Sequence, residues 1–201
     1  KLGLRERPKD TPGKQACAAV GQCELMYLYD NLFAEYSITV AQMLLTKYIL
    51  LEDRRKNVEN AMERLIAHGV IPIINENDTV AIDELELEVG ENDSLAATVA
   101  AIAKADLLII MSDIDGLYDK DPHTYDDARL IPVVHEITDD IRALAGGAGT
   151  TLGTGGMITK LNAVEIAYDS DIDVVLMNGQ HPKTLYDLFD GKTVGTFFCK
   201  K

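Results

Sequence analysis

A glycine-rich segment that ends in a lysine is the part of the sequence best suited to binding an anion. It reads Gly153-Thr-Gly-Gly-Met-Ile-Thr-Lys160 and opens a stretch with a helical pattern. Glycines let backbone N–H groups approach a ligand closely, and a helix N-terminus carries roughly half a positive charge. Lys160 would lie in the first turn, within reach of a bound phosphate. The spacing fits neither the Walker A nor the dinucleotide-binding pattern, so phosphate binding and a flexible loop with a solvated lysine both stay open.

A second polar group follows an apolar strand predicted at Val70–Ile74. It reads Asn75-Glu-Asn-Asp78, which is more polar side chains than a turn requires. The amide and carboxylate groups could bind the ammonium or hydroxyl group of a small polar substrate. An ordinary polar turn accounts for the same residues, and that alternative also stays open.

A third group, Gly90-Glu-Asn-Asp-Ser94, precedes an alanine-rich stretch with a helical pattern. Either Asp93 or Ser94 is expected to be the N-cap of that helix. Asn92 and Asp93 would still point toward the same sheet edge as Asp78. An aspartate in that place could orient lysines around a phosphoryl group.

A fourth group, Ser112-Asp-Ile-Asp-Gly-Leu-Tyr118, follows the strongest strand in the sequence, Asp106–Met111. Asp113-x-Asp115-Gly is similar to part of a calcium loop, but the remaining ligands are out of register, which excludes an EF-hand. The four histidines lack the spacing of metal ligands. The sequence contains no G-x-S-x-G elbow, so it does not indicate hydrolase chemistry.

The elements that must position these groups alternate between helices and strands. Helices are predicted from Thr11, with its hydroxyl as the cap, to about Phe33, then from Asp53 to Gly69, Ser94 to Ala105, Thr138 to Ala145, Met157 to Tyr168 and Pro182 to Phe189. Strands are predicted at Ser37–Leu45, Val70–Ile74, Asp106–Met111, Asp173–Met177 and Thr193–Cys199, and a half-exposed strand or a hairpin is predicted at Asp83–Val89. Strands that are apolar throughout indicate a largely parallel sheet covered on both faces, with ligands at the carboxyl ends of its strands. We expect a single α/β domain over residues 1–201.

Composition limits the class of partner. Of the 201 residues 47% are hydrophobic and 26% are charged, which is enough apolar material for a core. The formal net charge of −14 disfavours nucleic acid and anionic membranes as partners. No stretch approaches the roughly 18 apolar residues of a membrane span, and no secretion signal is visible. The three cysteines form no CxxC pair and indicate reduced thiols, so we expect a cytoplasmic protein.

Seven stretches in order along essentially the whole chain carry a family resemblance. They are Ala18–Gln22, Gln42–Thr46, Val70–Asp78, Gly90–Ala96, Ser112–Tyr118, Leu152–Lys160 and Val194–Phe198. Together they resemble the amino acid kinase family, and in particular its glutamate-phosphorylating members. The resemblance implies a three-layer αβα sandwich with a largely parallel central sheet. Related kinases of acetylglutamate, aspartate, carbamate and uridylate share that fold but differ at Asn75–Asp78 and Gly153–Lys160.

The resemblance implies ATP-dependent phosphorylation of the γ-carboxylate of L-glutamate to L-glutamyl 5-phosphate, the first step of proline biosynthesis. Asp78 and Asn92 fall on glutamate-binding positions, and Asn77 lies beside them. The ATP-binding positions are Ser112, Asp113, Thr154, Gly155, Gly156, Met157, Ile158, Thr159 and Lys160. Asp93 falls on the position that organises the catalytic lysines. Lys160 would neutralise charge on the transferring phosphoryl group, while Mg²⁺, carried by ATP rather than by the protein, would bridge its phosphates.

The resemblance also implies segments that precede these motifs. In the family, a strand with a phosphate-binding lysine and a second strand with a Ser-Gly-Ala loop come first. We therefore expect a domain that is incomplete at its N-terminus, and no RNA-binding-like (PUA) domain after it. A homo-oligomer, dimer or tetramer, and feedback inhibition by proline through the glutamate pocket and Asp83–Glu91 are further implied. Two other hypotheses are a sister kinase of acetylglutamate or carbamate, and a non-catalytic module that senses amino acids.

Overall fold

Helices and strands alternate along the chain, as predicted. The computed structural model describes residues 2–4, 6, 8–46, 52–80, 92–145 and 156–200. In chain order the elements are α1 (Thr11–Ala34), β1 (Val40–Leu45), α2 (Glu52–Ala67), β2 (Ile71–Glu76), α3 (Asn92–Ala103), β3 (Leu107–Ser112), β4 (Val133–Val134), α4 (Asp139–Ala145), α5 (Met157–Tyr168), β5 (Asp173–Asn178), α6 (Thr184–Phe189) and β6 (Thr196–Phe198). The predicted strand Asp83–Val89 and residues 146–155 of the glycine-rich segment lie outside the described residues. None of the helices in these ranges is both long and apolar enough to cross a membrane.

Residues 1–87 and 88–201 form two compact units, which are described in turn. In the first unit, β1 and β2 pair in parallel, with Val40 opposite Ile71 and Leu45 opposite Glu76. A parallel pair brings the carboxyl ends of both strands to one edge. The polar residues that follow Glu76 therefore lie beside the end of β1, and the backbone N–H of Asn77 donates to the carbonyl of Leu45 at 2.7 Å.

The apolar face of α2 is narrow. Met62 is buried, and Val58 and Leu65 are half-buried. Ile66, one turn after Met62, is 54% exposed. The basic run Arg54–Lys56 is exposed at the start of the helix.

The cap of α1 is Asp10 rather than the predicted Thr11. The Asp10 carboxylate accepts from the backbone N–H of Gly13 at 2.9 Å. Asp and Thr are both good N-caps, so the pattern alone did not distinguish two neighbouring starts. Pro12 is therefore the second helical residue, where its missing N–H still costs no intrahelical hydrogen bond.

Two strands begin three residues later than predicted, because the residues before them turn the backbone. Ser37 has φ of +58°, a left-handed conformation that no strand accepts, and β1 begins only at Val40. Gly195 has φ of +65°, and β6 begins at Thr196 rather than Thr193. A side chain at Gly195 would also place its Cβ 2.1 Å from the carbonyl oxygen of Leu176, so only glycine fits there.

The sheet of the second unit has the strand order β3-β5-β6-β4. β3 pairs with β5 in parallel, and β4 pairs with β6 in parallel. β6 runs antiparallel to β5, so the sheet is mixed at this one junction. β4 has only two residues and gives no recognisable pattern, which explains why the sequence did not predict it.

The core of the second unit lies between this sheet and the helices α3 and α5. Val174, Val175 and Met177 of β5 are fully buried, as expected of a strand covered on both faces. Ala97 of α3 and Ala163 of α5 are also fully buried, and such small side chains let the two helices pack closely. The structure therefore agrees with the predicted fold in the region that forms the site, at the starts of α3 and α5.

A buried threonine holds the loop after β3 in place. Thr196 is fully buried, and its hydroxyl accepts from the N–H of Leu117 at 2.8 Å and donates to the carbonyl of Ile131 at 2.7 Å. Gly116 lies against it, since a Cβ there would be 2.6 Å from the Thr196 Oγ1. The loop that leaves the carboxyl end of β3 is thus anchored to β6.

Candidate active site

The lysine at the end of the glycine-rich segment is buried and paired with an aspartate. Lys160 lies in the first turns of α5, which begins after its N-cap Gly156. Its Nζ lies 3.1 Å from Oδ2 of Asp93, and the two side chains are 9% and 20% exposed. A solvated lysine at a helix start, the alternative that the sequence left open, is therefore excluded. The carboxylate of Asp93 thus holds the ammonium of Lys160 in place where little water reaches it.

The packing of α3 on α5 brings these two residues together. Each helix leads directly into a strand of the parallel pair β3–β5, through residues 104–106 after α3 and 169–172 after α5. Two helices in this arrangement run alongside each other, so that their first turns meet at the end where both strands finish. Asp93 is in the first turn of α3 and Lys160 is near the start of α5. The juxtaposition thus follows from topology.

The helix start at Asn92 corrects the predicted cap. Asn92, Asp93 and Ser94 all lie inside α3, so neither Asp93 nor Ser94 is the N-cap. Asn, Asp and Ser are all favourable caps, so the sequence favoured a cap within this run although the helix already includes all three residues. Asn92 is exposed, Asp93 is half-buried, and Ser94 is buried. Asp93 is therefore free of a capping role and directed to Lys160.

Thr159 contributes a hydroxyl to the same carboxylate. Its Oγ1 lies 3.0 Å from Oδ2 of Asp93 and 2.8 Å from the carbonyl oxygen of Gly156. Ile158, its neighbour in the predicted ATP-binding run, is 48% exposed, whereas Met157 packs against the core. Thr154 and Gly155 of that run lie outside the described residues.

Ser112 and Asp113 lie at the carboxyl end of β3. The Ser112 hydroxyl donates to Oδ1 of Asp113 at 3.1 Å, and the Asp113 side chain is exposed. The N–H of Gly179, just after β5, donates to the carbonyl of Ser112 at 2.7 Å. A Cβ on Gly179 would lie 3.3 Å from the Cβ of Met111, so a glycine allows the two strand ends to meet closely.

Asp115 links the loops after β3 and β5, a role that the sequence did not reveal. Its Oδ1 accepts from Nδ2 of Asn178 at 2.7 Å, and its Oδ2 accepts from the Tyr118 hydroxyl at 3.1 Å. The Asn178 side chain in turn accepts from the N–H of Gln180 at 2.8 Å. Burial, with the Asp115 carboxylate beside it, raises the pKa of Tyr118. The position of Asn178, directly after a predicted strand, was the signal in the sequence that could have indicated this link.

In the first unit, Asn77 and Asp78 follow β2 in a turn. Oδ1 of Asn77 accepts from the Thr79 hydroxyl at 2.5 Å, and the carbonyl of Asn77 accepts from the N–H of Val80. The Asn77 side chain thus serves its own turn, which is the ordinary role that the sequence left open. The Asp78 side chain is exposed.

The hydrogen-bond partners of Asn75 determine which end of its side-chain amide is the oxygen and which is the nitrogen. Its Oδ1 accepts from the backbone N–H of Glu76 at 2.9 Å, so its Nδ2 must be the atom that donates to Oε1 of Gln22 at 3.2 Å. Gln22 Nε2 is buried without a hydrogen-bond partner among the described residues. Asn75 therefore links β2 to α1 and is half-buried.

The residues of the second unit provide a cation and helix N-termini at one place, and these groups suit a polyanion. Helix N-termini and a buried ammonium attract phosphate even when the chain as a whole is acidic. Within the described ranges, no cluster of three or more histidine, cysteine or carboxylate side chains could hold a metal ion.

Comparison with known proteins decides the family. A profile described as the Amino acid kinase family matches residues 1–178. The chain belongs to this family. Its similar relatives include the glutamate 5-kinase of Clostridium perfringens, with 49% identity over 204 residues, and that of Clostridium tetani, with 52% identity over 199 residues. These alignments cover 100% and 98% of this chain, and 76% and 74% of the relatives.

Solved structures confirm the fold of the amino acid kinase family. The carbamate kinase from Giardia lamblia bound to AMP-PNP superposes with a TM-score of 0.63 and 17% identity, and the match covers 100% of this chain and 75% of that one. The isopentenyl phosphate kinase of T. acidophilum gives a TM-score of 0.58 and 21% identity, covering 89% and 66%. The chain thus spans about two thirds to three quarters of the length of these kinases. The α/β fold and the family, both predicted above, are confirmed.

Proposed function

We propose that the protein transfers the γ-phosphoryl group of ATP to the γ-carboxylate of L-glutamate and produces L-glutamyl 5-phosphate and ADP. The observation that carries this proposal is the buried Lys160–Asp93 pair at the start of α5, at the end of a glycine-rich segment. Identity of about half with glutamate 5-kinases over the whole chain supports glutamate as the acceptor.

Phosphoryl transfer requires a positioned positive charge, which Lys160 supplies in this site. A γ-carboxylate oxygen of glutamate forms a bond to the γ-phosphorus as the bond from that phosphorus to the β,γ-bridging oxygen breaks. Negative charge moves onto the bridging oxygen while the equatorial oxygens stay charged. Catalysis of this step is mostly positioning and charge stabilisation. A lysine whose position is fixed by a carboxylate loses little energy to reorganisation when the charge develops.

The candidate residues have distinct roles in this proposal, and Lys160 has two. Lys160 stabilises charge on the transferring group, and Asp93 fixes its position. Asp78, Asn77 and Asn92 contact glutamate. The nucleotide is held by Ser112, Asp113, Thr154, Gly155, Gly156, Met157, Ile158, Thr159 and Lys160. Since the Asn77 side chain is engaged by Thr79, we assign the stronger glutamate contact to Asp78, whose side chain is exposed.

The proposal extends to the setting of the reaction. Mg²⁺ would arrive on the phosphates of ATP and supply further charge neutralisation. The product is an activated acyl phosphate, whose formation is the first step of proline biosynthesis, and proline is the expected feedback inhibitor. We also infer a homo-oligomer, dimer or tetramer, in the cytoplasm, where the free thiols of Cys17, Cys23 and Cys199 would stay reduced.

A coupled assay of ADP release by the full-length protein tests the proposal. L-glutamate, N-acetyl-L-glutamate and carbamate are supplied separately with ATP and Mg²⁺. We expect ADP release that depends on L-glutamate, with kcat/KM at least about 100-fold above the other acceptors, which corresponds to roughly 2.7 kcal/mol of discrimination. A preference for another acceptor would make the protein a sister kinase. Binding of glutamate without turnover would make it a sensing module.

A further inference from the structure

We propose that Thr159 is a positioning residue for the Asp93–Lys160 pair and makes its main contribution through Asp93 rather than through the nucleotide. This inference rests on the proposed function. It revises the role that the family resemblance implied for Thr159 and that the proposed function above gave it, which was an ATP contact. The observation behind it is that Oγ1 of Thr159 and Nζ of Lys160 both lie within hydrogen-bond distance of one atom, Oδ2 of Asp93, at 3.0 and 3.1 Å.

The hydroxyl of Thr159 has one proton and two acceptors within reach. One acceptor is the carbonyl of Gly156 at 2.8 Å, a local bond of the kind that helix-start hydroxyls often form. The other is the Asp93 carboxylate on a different helix. A charged acceptor makes the stronger hydrogen bond, so we assign the proton to Asp93 Oδ2.

This assignment explains how a single oxygen serves two donors. A carboxylate oxygen has two lone pairs, and Oδ2 would use one for Lys160 and one for Thr159. With both donors in place the carboxylate cannot rotate about its Cβ–Cγ bond without losing both bonds. The Thr159 hydroxyl therefore fixes the orientation of Asp93, and Asp93 fixes the ammonium of Lys160. Without the hydroxyl, the carboxylate could turn and draw Nζ away from its catalytic position.

Three substitutions separate this role from other roles. Thr159→Val removes the hydroxyl and keeps the branched shape, and Thr159→Ser keeps the hydroxyl. Thr184→Val is the matched control, because the Thr184 hydroxyl donates to the carbonyl of His181 at 2.7 Å at the start of α6. The control removes a local bond of the same kind as that between Thr159 and Gly156, without a carboxylate partner.

Steady-state kinetics and nucleotide binding give the first test. We expect Thr159→Val to lower kcat about tenfold, the effect of losing one charge-assisted hydrogen bond in the site. The KM for ATP and the calorimetric Kd for a non-hydrolysable ATP analogue should change by no more than about twofold. Thr159→Ser should recover most of kcat, and Thr184→Val should match the parent protein. A tenfold rise in the KM and Kd for the nucleotide, with kcat unchanged, would overturn the proposal.

A double-mutant cycle gives a test that needs no turnover. The urea midpoint is measured for Thr159→Val, Asp93→Ala and the double variant, with Asp93→Asn in place of Asp93→Ala if the alanine variant does not fold. If Thr159 acts through Asp93, the double variant should shift the midpoint by clearly less than the sum of the two single shifts. Additive shifts would refute the positioning role. If the parent protein phosphorylates no glutamate, the proposed function fails, and this cycle still tests the contact between the two residues.

Discussion

Replacing Lys160 by methionine would leave the Asp93 carboxylate without its cation while keeping a side chain of similar length. At 3.1 Å and an effective dielectric constant of about 20, the attraction between the two charges is about 5 kcal/mol before desolvation is subtracted. Breaking a buried pair costs about 3–5 kcal/mol. Because Asp93 keeps 20% exposure and the hydroxyl of Thr159, we expect a smaller loss of about 2–3 kcal/mol in the free energy of unfolding.

Urea denaturation followed by circular dichroism measures this loss, and two further variants interpret it. Asp93→Asn combined with Lys160→Met removes both charges and should recover stability to within about 1 kcal/mol of the parent. Lys56→Met is the matched control, since Lys56 pairs with Glu59 at 2.9 Å but is 64% exposed. An exposed pair of this kind contributes about 0.2–1 kcal/mol, so the control should lose no more than that.

Turnover is the second readout for Lys160. Removing a group that stabilises charge mainly in the transition state lowers kcat about 10²–10³-fold, and we expect Lys160→Met at or beyond the upper end. The charge-neutral double variant should regain stability without regaining turnover. If Lys160→Met were as stable as the parent and as active, the buried pair would have neither the structural nor the catalytic importance assigned to it.

Three further predictions concern other parts of the molecule. Asp78→Ala should raise the KM for glutamate at least about tenfold with the KM for ATP unchanged, as measured by initial-rate kinetics with each substrate varied. A raised KM for ATP with the KM for glutamate unchanged would instead place Asp78 at the nucleotide. Thr196→Val should lower the free energy of unfolding by about 2–4 kcal/mol in urea titrations, since the N–H of Leu117 and the carbonyl of Ile131 would both lose a buried partner; a loss below about 0.5 kcal/mol would contradict that anchor. Burial raises the pKa of Tyr168 from 10.0 to about 12, so the folded state holds a proton that the unfolded state releases, and stability should fall as pH rises from about 10 to about 12. Tyr168→Phe should lose less stability than the parent in urea titrations over that range, and an equal loss would refute the shift.

Apolar strands and helical stripes made most of the fold predictable. β3 and β5 consist of continuous apolar runs that end at polar residues, and their parallel pairing follows from the helices between them. Errors came where local signals were degenerate. Asp10 and Thr11 are both good caps, and nothing local chooses between such neighbours. Asp93 and Ser94 are also good caps by type, but α3 already includes both of them. β6 runs antiparallel to β5, and no local pattern in the sequence indicates that direction.

The sequence predicted the residue types of the site, but it did not predict which charged side chains are buried or paired. The pattern of glycines before Lys160 indicated an anion site, but it fitted a solvated lysine equally well. Burial of Lys160 and its contact with Asp93, 67 residues away in the chain, depend on how α3 packs on α5. The same is true of the contact between Asp115 and Asn178, which are 63 residues apart. Such pairs are properties of the tertiary structure, and a single sequence does not show them.

Trapping the product is the most direct test of the central claim, that the protein makes an acyl phosphate on glutamate. The full-length protein is incubated with ATP, Mg²⁺, L-glutamate and hydroxylamine, and mass spectrometry follows γ-glutamyl hydroxamate while a coupled assay follows ADP. We expect hydroxamate to form in step with ADP, to require both substrates, and to fall with kcat in Lys160→Met. ADP release without any hydroxamate, or a hydroxamate yield that Lys160→Met leaves unchanged, would contradict the account.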